Sequence, residues 1–485
     1  MEQQSIFDNI SPLDHRYFQS NHELFSDLRQ YISESASVRY CARVEAALVK
    51  SHLKFQSRLT ADLEELLDRA AGELDPDEVY REEEKTQHNI RALVNVMKKS
   101  LPEEIRHLLH MGATSVDILD TANAMKMRDV TRQVILPQLN ELMGELIRFA
   151  RDHAETPQVG RTHGQFAVPI TLGHTFAEYV SRLGKSVLEI EERSRDLRGK
   201  LAGAVGGYNA TSMLYPDPLA FEAECLGMLG LKPSDHSTQM VEPEYLLRLI
   251  LELNVAFGVI ANLADDLRHL QRSEIDEVRE YFSPTQVGSS TMPQKRNPWN
   301  CEHVKSLWKA FSPRVMTMYM DQISEHQRDL SNSASGRFTV EFIAGFSAAV
   351  QRMIKILKGM SVNNQGLERN LASAGSSVLA EPAYILLSSQ GESDAHEIIR
   401  KLTLDADRQG ISLHQAMKAD PEVWGVIADR LAAVGIGDAD GFFSNPERYR
   451  GRTVERAREL SQIWDAKMRE MTNSLAAEGR RNGKA

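Results

Sequence analysis

The sequence predicts an all-α protein of three helical domains built around a bundle of long helices. Three observations carry that expectation. Leu, Ala, Glu, Arg and Met are plentiful, and these residues lose little on entering a helix, while 29 glycines and 17 prolines are few for a chain of 485 residues. Apolar residues recur at helical spacing over unusually long stretches. One stretch, 244–272, is apolar on nearly all sides, which implies burial on nearly all sides.

The elements follow in chain order. Residues 1–112 read as a smaller helical domain, and 113–365 as the central bundle. Within the bundle, 114–153 reads as one helix, with Ile118, Leu119, Ala122, Met125 and Val130, then Ile135, Leu139, Leu142, Leu146 and Ile147, near helical spacing. Pro137 predicts a kink or a break in it. The stretches 171–201, 244–272, 303–324 and 339–358 read as four further helices. Helices approaching 30 residues exceed the globular mean of roughly 11–12 and need extended partners to bury them. Either a second copy of the chain covers the all-round apolar helix, or it is the central helix of a monomeric bundle. From about Gly366 the helices shorten, with polar turns at 391–393 and 435–441, and 366–485 reads as a third, small helical domain. Glycine and proline gather in loops at 157–169, 203–218, 283–298 and 331–337. Loops held by a rigid scaffold are where chemistry tends to lie.

Composition narrows the function. The net charge of −11 argues against nucleic-acid binding and leaves room for a small basic pocket that takes an anionic substrate. Cys41, Cys225 and Cys301 stand far apart, with no metal-type spacing and no disulfide framework, which suits a reducing compartment. The first residues carry no basic start and no apolar run, so no signal peptide is visible. Arg248, Glu252, Asp265, Asp266 and Arg268 interrupt the most apolar stretch, which argues against a membrane span. The expected compartment is the cytoplasm.

Four segments carry candidate chemistry. Residues 288–298 read Gly-Ser-Ser-Thr-Met-Pro-Gln-Lys-Arg-Asn-Pro. The prolines keep this stretch out of a helix, and it gathers hydroxyls, an ammonium, a guanidinium and amides in one loop. Such a loop can wrap an anion and offer a serine as a base if cations and N–H groups stabilise its alkoxide. Its bland alternative is a solvated basic turn. Thr114-Ser115 at a helix start can cap the helix while offering hydroxyls and N–H groups to an anion, or can be a plain cap. His163 lies in the Gly-flanked segment Gly160-Arg161-Thr162-His163-Gly164-Gln165, and a histidine is a side chain suited to moving a proton. Near the N-terminus stands Ser11-Pro12-Leu13-Asp14-His15-Arg16-Tyr17.

These segments together resemble the signature regions of the fumarase/aspartase superfamily, and within it the adenylosuccinate lyases, over about residues 11–470. The resemblance implies an all-α, 20-helix tetramer core and β-elimination of fumarate by general acid–base catalysis. It implies Ser289 as the carbon-acid base, His163 as the general acid, His88 as the second active-site histidine, and Lys295 and Asn297 as holders of the substrate carboxylates. Arg16 and Tyr17 match the pair that contacts the nucleotide phosphate. Arg328, Ser333 and Arg337, in 327–337, match nucleotide contacts, and Gln239 matches a contact to the succinyl part. Asn89, Thr114, Ser115, Ser290 and Met292 complete the implied substrate contacts. No metal or organic cofactor is implied. The implied partner is a succinyl-purine nucleotide, with no nucleic acid and no membrane, and the implied assembly is a homotetramer with shared sites. Gln294 stands where the family usually has His or Tyr, and Asn89 where it has Asp. Two alternatives are therefore carried: another fumarate-releasing lyase or cycloisomerase acting on a different succinyl or carboxylated substrate, and an inactive structural homologue.

Overall fold

The computed structural model describes residues 5–283, 285–286 and 288–482. The architecture is helical, with three two-stranded pairings. The elements that position the candidate residues are α1 (Glu34–Phe55), α2 (Asn89–Lys99), α3 (Ser115–Val130), α4 (Leu136–Asp152), β1 (Pro157–Thr162), β2 (Gln165–Thr171), α5 (Leu172–Arg195), α6 (Glu244–Leu270), α7 (Trp299–Phe311), α8 (Arg314–Met320), α9 (Thr339–Gly359), α10 (Asn364–Ala374) and α11 (Thr453–Asn482).

Contacts divide the chain into two compact units. The first comprises Met1–Asn140, Lys185–Ile260 and Ser306–Arg352. In it α1 packs on α3, and Phe257 meets Phe346 edge to face with ring centroids 5.4 Å apart. The second comprises Glu141–Gly184, Ala261–Lys305 and Met353–Ala485. Phe149 stacks on Phe176 there at 4.7 Å, and the C-terminal helices bury their own cluster of Leu379, Leu387, Ile427, Phe442 and Phe443.

The long-helix expectations hold with informative breaks. The stretch 114–153 is interrupted by a π-helical turn at Thr131–Ile135, just before Pro137. Proline lacks the N–H that would bond the carbonyl one turn back, and a local π turn absorbs that defect without ending the helix direction. The expected helix 303–324 is two helices, α7 and α8, because Pro313 stands between them; α7 also starts earlier, at Trp299. The segment 157–169, expected as a loop, forms the β1–β2 hairpin instead. Its residues alternate and include Val159, Phe166, Val168 and Ile170, a pattern a strand can use. More than half of the most apolar stretch of α6 is buried. Leu249, Ile250, Leu253, Phe257 and Ile260 place this helix in the core.

Gly184 in α5 tests the packing. A Cβ built there would come within 2.5 Å of the ring of Trp464, itself 4% exposed. Alanine in a helix interior normally gains about 1 kcal/mol over glycine, but overpacking against a buried ring costs roughly 1–3 kcal/mol. We expect Gly184→Ala to lower the thermal midpoint; a raised midpoint in a thermal melt would show that the ring yields.

Candidate active site

In the first unit a buried ion pair holds the start of α3, which carries Thr114 and Ser115. Asp117 and Lys200 are both fully buried and bonded to each other. Asp117 also accepts the Thr114 N–H at 2.8 Å, which caps α3, and the Gly203 N–H at 3.2 Å. Lys200 Nζ donates to the Gly203 carbonyl at 3.1 Å. Thr121 Oγ1 bonds both the N–H and the carbonyl of Lys200 at 3.1 Å. The start of α3, with Thr114 and Ser115, is thereby tied to the loop after residue 200. Glu222 extends the tie, accepting the Leu201 N–H at 2.7 Å and the Tyr208 hydroxyl at 2.6 Å.

A cavity of about 460 Å³ opens beside α3. Asn89, Arg328, Ser333 and Arg337, four of the residues singled out from the sequence, line it together. So do Asp120, Lys126 and Arg198, which sequence reasoning did not single out. Asp120 accepts the Val241 N–H at 2.9 Å and so holds the turn that carries Gln239. Burial pushes the Asp120 carboxyl up to about 6, against the opposing pull of that N–H and of Lys200. Burial lowers Lys126, whose ammonium donates to Ser37 Oγ at 2.7 Å. The Gln239 N–H reaches the Gln327 carbonyl at 3.4 Å, so the Gln239 turn meets the 327–337 segment. That segment is folded by Asp329, which accepts both the N–H and the hydroxyl of Ser331; these bonds hold its carboxyl near 2. Arg328 donates to the carbonyls of Asp321 and Gln322 at 3.1 and 3.4 Å.

His88 is the N-cap of α2, its Nδ1 accepting the Arg91 N–H at 3.2 Å. Arg16 and Tyr17 sit on the short helix Arg16–Ser20 and are not among the residues lining the cavity. Their neighbours Asp14 and Phe18 line a second cavity of about 510 Å³, and Arg337 lines both.

The second unit carries the proposed proton-transfer groups. In the 288–298 loop, Ser289 Oγ accepts N–H bonds from Thr291 at 3.3 Å and Met292 at 3.1 Å. Asn297 Nδ2 donates to the Gly288 carbonyl at 3.0 Å and closes the loop on itself. Gly288 packs so closely on the Lys295 carbonyl and Phe282 that a Cβ would not fit. Ser290, Met292 and Lys295 are exposed. Past the loop, Glu280 caps α7, accepting from Asn300 N at 3.2 Å and Cys301 N at 3.0 Å. His163 is exposed at the tip of the β1–β2 hairpin. His163 and Gly164 form its two-residue loop, with φ of 53° and 74°. Positive φ at both positions is the type I′ geometry that matches strand twist.

Backbone strain marks the same segments. Among the described residues, seven non-glycine residues have left-handed φ; Gln87, His110, His163, Tyr208 and Arg328 lie in or beside the segments read from the sequence. Such strain concentrates at functional sites. His110, four residues before Thr114, is held by the fully buried Glu45, which accepts its N–H at 2.9 Å and bonds its Nδ1 at 2.7 Å.

The sequence profile of a family described as Lyase matches residues 12–311, and that of the adenylosuccinate lyase C-terminal region matches 324–436. The chain is 32% identical over 453 residues to an adenylosuccinate lyase of Pyrococcus abyssi, covering 92% of this chain and 96% of that one. It is 32% identical over 352 residues to an adenylosuccinate lyase of Aquifex aeolicus, covering 71% and 78%. The fold is similar to that of a fumarate lyase from Mesorhizobium sp. BNC1, with a TM-score of 0.76 and 22% identity over 90% of this chain and 97% of that one. It is also similar to that of a 3-carboxy-cis,cis-muconate lactonizing enzyme from Pseudomonas putida, with a TM-score of 0.75 and 24% identity over 94% and 100%. At those identities the two structures speak for the fold alone.

Two outcomes follow from the buried charges. Lys200→Met strands Asp117 as an uncompensated buried carboxylate, so we expect a loss of about 3–5 kcal/mol in denaturant unfolding. Burial pulls the His110 imidazole down, but the hydrogen bond and charge of Glu45 outweigh it and leave it raised. The stability this contributes is complete below the free-imidazole value of about 6.5 and is lost as pH rises through the raised native value. Glu45→Gln is expected to flatten that part of the stability-versus-pH curve; an unchanged slope would show that the pair does not titrate there.

Proposed function

The chain belongs to the adenylosuccinate lyase family, and from that premise we propose that it eliminates fumarate from adenylosuccinate, leaving AMP, and from the succinocarboxamide ribotide of purine synthesis. The observation that carries the mechanism is the pair of backbone N–H groups aimed at Ser289 Oγ. A serine hydroxyl is too weakly acidic to serve as a base unless its alkoxide is stabilised, and fixed N–H donors supply that stabilisation without reorganising. Lys295 adds a positive charge from the same loop.

In this reading Ser289 takes a proton from the carbon next to a substrate carboxylate. Lys295 and Asn297 hold the carboxylates and stabilise the dianion that forms. His163 protonates the departing nitrogen, fumarate leaves, and His88 orients substrate or His163. Arg16, Tyr17, Arg328, Ser333 and Arg337 hold the nucleotide and its phosphate. Asn89, Thr114, Ser115, Gln239, Ser290 and Met292 complete the contacts. The clustering of Asn89, Arg328, Ser333 and Arg337 on one cavity supports the nucleotide part of this assignment.

We take the working assembly to be a homotetramer in which three copies contribute to each site. Leu251 and Val255 are 39% and 54% exposed on α6, and apolar surface of that kind supports a partner. The three free, buried cysteines support a reducing, cytoplasmic compartment. The separate core of the C-terminal helices supports a domain boundary near 365, and the boundary at 112 is proposed from the sequence alone.

Ultraviolet absorbance on mixing the protein with adenylosuccinate tests the reading. We expect turnover, and a fall in kcat of roughly 10²–10⁴-fold in Ser289→Ala, the range a positioned acid or base supplies. Turnover that survives in the variant would remove Ser289 as base. No turnover of adenylosuccinate, with turnover of another N-succinyl compound, would favour the alternative substrate that Gln294 and Asn89 suggest.

A further inference from the structure

Glu277 is a fully buried carboxylate that no step of the proposed mechanism uses. Its partners are unusual in what they hold. Oε1 accepts from Arg161 at 2.7 Å and from Asn370 Nδ2 at 2.8 Å, and Oε2 accepts from Gln158 Nε2 at 2.7 Å. Arg161 and Gln158 are both on β1, the strand that runs directly into His163. Gln158 is clamped again from α5, where Thr175 Oγ1 donates to its Oε1 at 2.7 Å. The backbone of Glu277 is equally fixed, its N–H bonding the Leu270 carbonyl at the end of α6 and its carbonyl accepting from Asn363, both at 2.9 Å.

The hairpin needs such an anchor. It is the substantial sheet element in a helical fold, and an isolated two-stranded hairpin is marginally stable in water. Its register shifts at Gly160, where a Cβ would come within 2.5 Å of the Val168 carbonyl. The side chains that re-establish the register beyond this irregularity are Arg161 and its cross-strand partner Phe166, with the guanidinium 5.5 Å from the ring centroid. Arg161 is therefore the last tethered residue before the exposed tip, and Glu277 is what tethers it.

We propose that Glu277 is a positioning residue for the general acid: through Arg161 and Gln158 it sets the height and angle of the strained turn that presents His163. The inference rests on the assignment of His163 as the acid. A buried carboxylate with an arginine partner suits this task because two charges fixed in a low dielectric hold one geometry rather than several.

Steady-state kinetics of the full-length enzyme test it with adenylosuccinate as substrate. Glu277→Gln keeps the size of the side chain and removes the charge. We expect kcat to fall about 10-fold or more, within the roughly 10²-fold that a 1 Å misplacement costs. KM should stay within about threefold, and the basic limb of the kcat–pH profile, which reports the acid in the bound complex, should move. The double variant His163→Ala/Glu277→Gln should be no slower than His163→Ala alone. A purely structural role would lower the thermal midpoint and leave kcat and its pH profile unchanged, and that outcome overturns the proposal, as does a multiplicative loss in the double variant. If His163→Ala is itself as fast as the parent, the acid assignment falls and takes the proposal with it. A slow His163→Ala beside a fast Glu277→Gln overturns the proposal alone. Should Glu277→Gln fail to fold, Arg161→Lys keeps the charge and moves the donor away from Glu277 Oε1 by shortening the side chain; the same drop in kcat is expected, and a parental kcat overturns the proposal.

Discussion

The ion pair between Asp117 and Lys200 is the constraint on which the first unit depends. Neither side chain reaches solvent, so each would be prohibitively costly alone. Together they are tolerable because further bonds satisfy both partners: the Thr114 and Gly203 N–H groups on the carboxylate, the Gly203 carbonyl on the ammonium. The start of α3 and the loop after residue 200 cannot then move independently. The order of this corner is thus set by electrostatics inside the core, and the cavity lined by Asn89, Arg328, Ser333 and Arg337 inherits its rigid wall from it.

The second unit uses the same device at Glu277. There too a buried carboxylate collects an arginine and two amides from separated stretches of chain. What it stabilises is different. Asp117 fixes a helix terminus, which has its own backbone pattern to fall back on. Glu277 fixes a hairpin that lacks a sheet to lean on. The 288–298 loop is ordered differently again, by short-range bonds: Ser289 Oγ with the next two N–H groups but one, Asn297 with the Gly288 carbonyl, and Glu280 capping the helix that follows. Local bonds of this kind can break and reform singly, whereas a buried charge network opens only as a whole.

Strained backbone accompanies these arrangements. A histidine with positive φ at the tip of a two-residue turn is a poor local choice, since glycine, asparagine or aspartate would sit there at lower cost. Its presence makes sense when the side chain, not the turn, is what the position is for. Arg328, with φ of 78°, and His110, with φ of 57°, follow the same logic, each held in place by bonds to its surroundings.

The helical class, the long helices at 172–195, 244–270 and 339–359 and the signature segments around Thr114, His163, Ser289 and Arg328 were legible in the chain, because periodicity and short motifs are local properties; the expected single helix 303–324 was not, being two. Pro137 announced the interruption it causes, and Pro313 could have been read the same way. The β1–β2 hairpin was hidden by Gly160, Gly164 and Pro169, which read as a loop until pairing supplied the backbone bonds. What the sequence by itself determined is which residues are chemically able to act. Which charges face each other was decided only by the tertiary structure. Asp117 and Lys200 are 83 residues apart, Arg161 and Glu277 are 116 apart, and Glu45 and His110 are 65 apart. No periodicity connects such pairs, and the free energy that joins them exists only once the core has closed and removed the water between them.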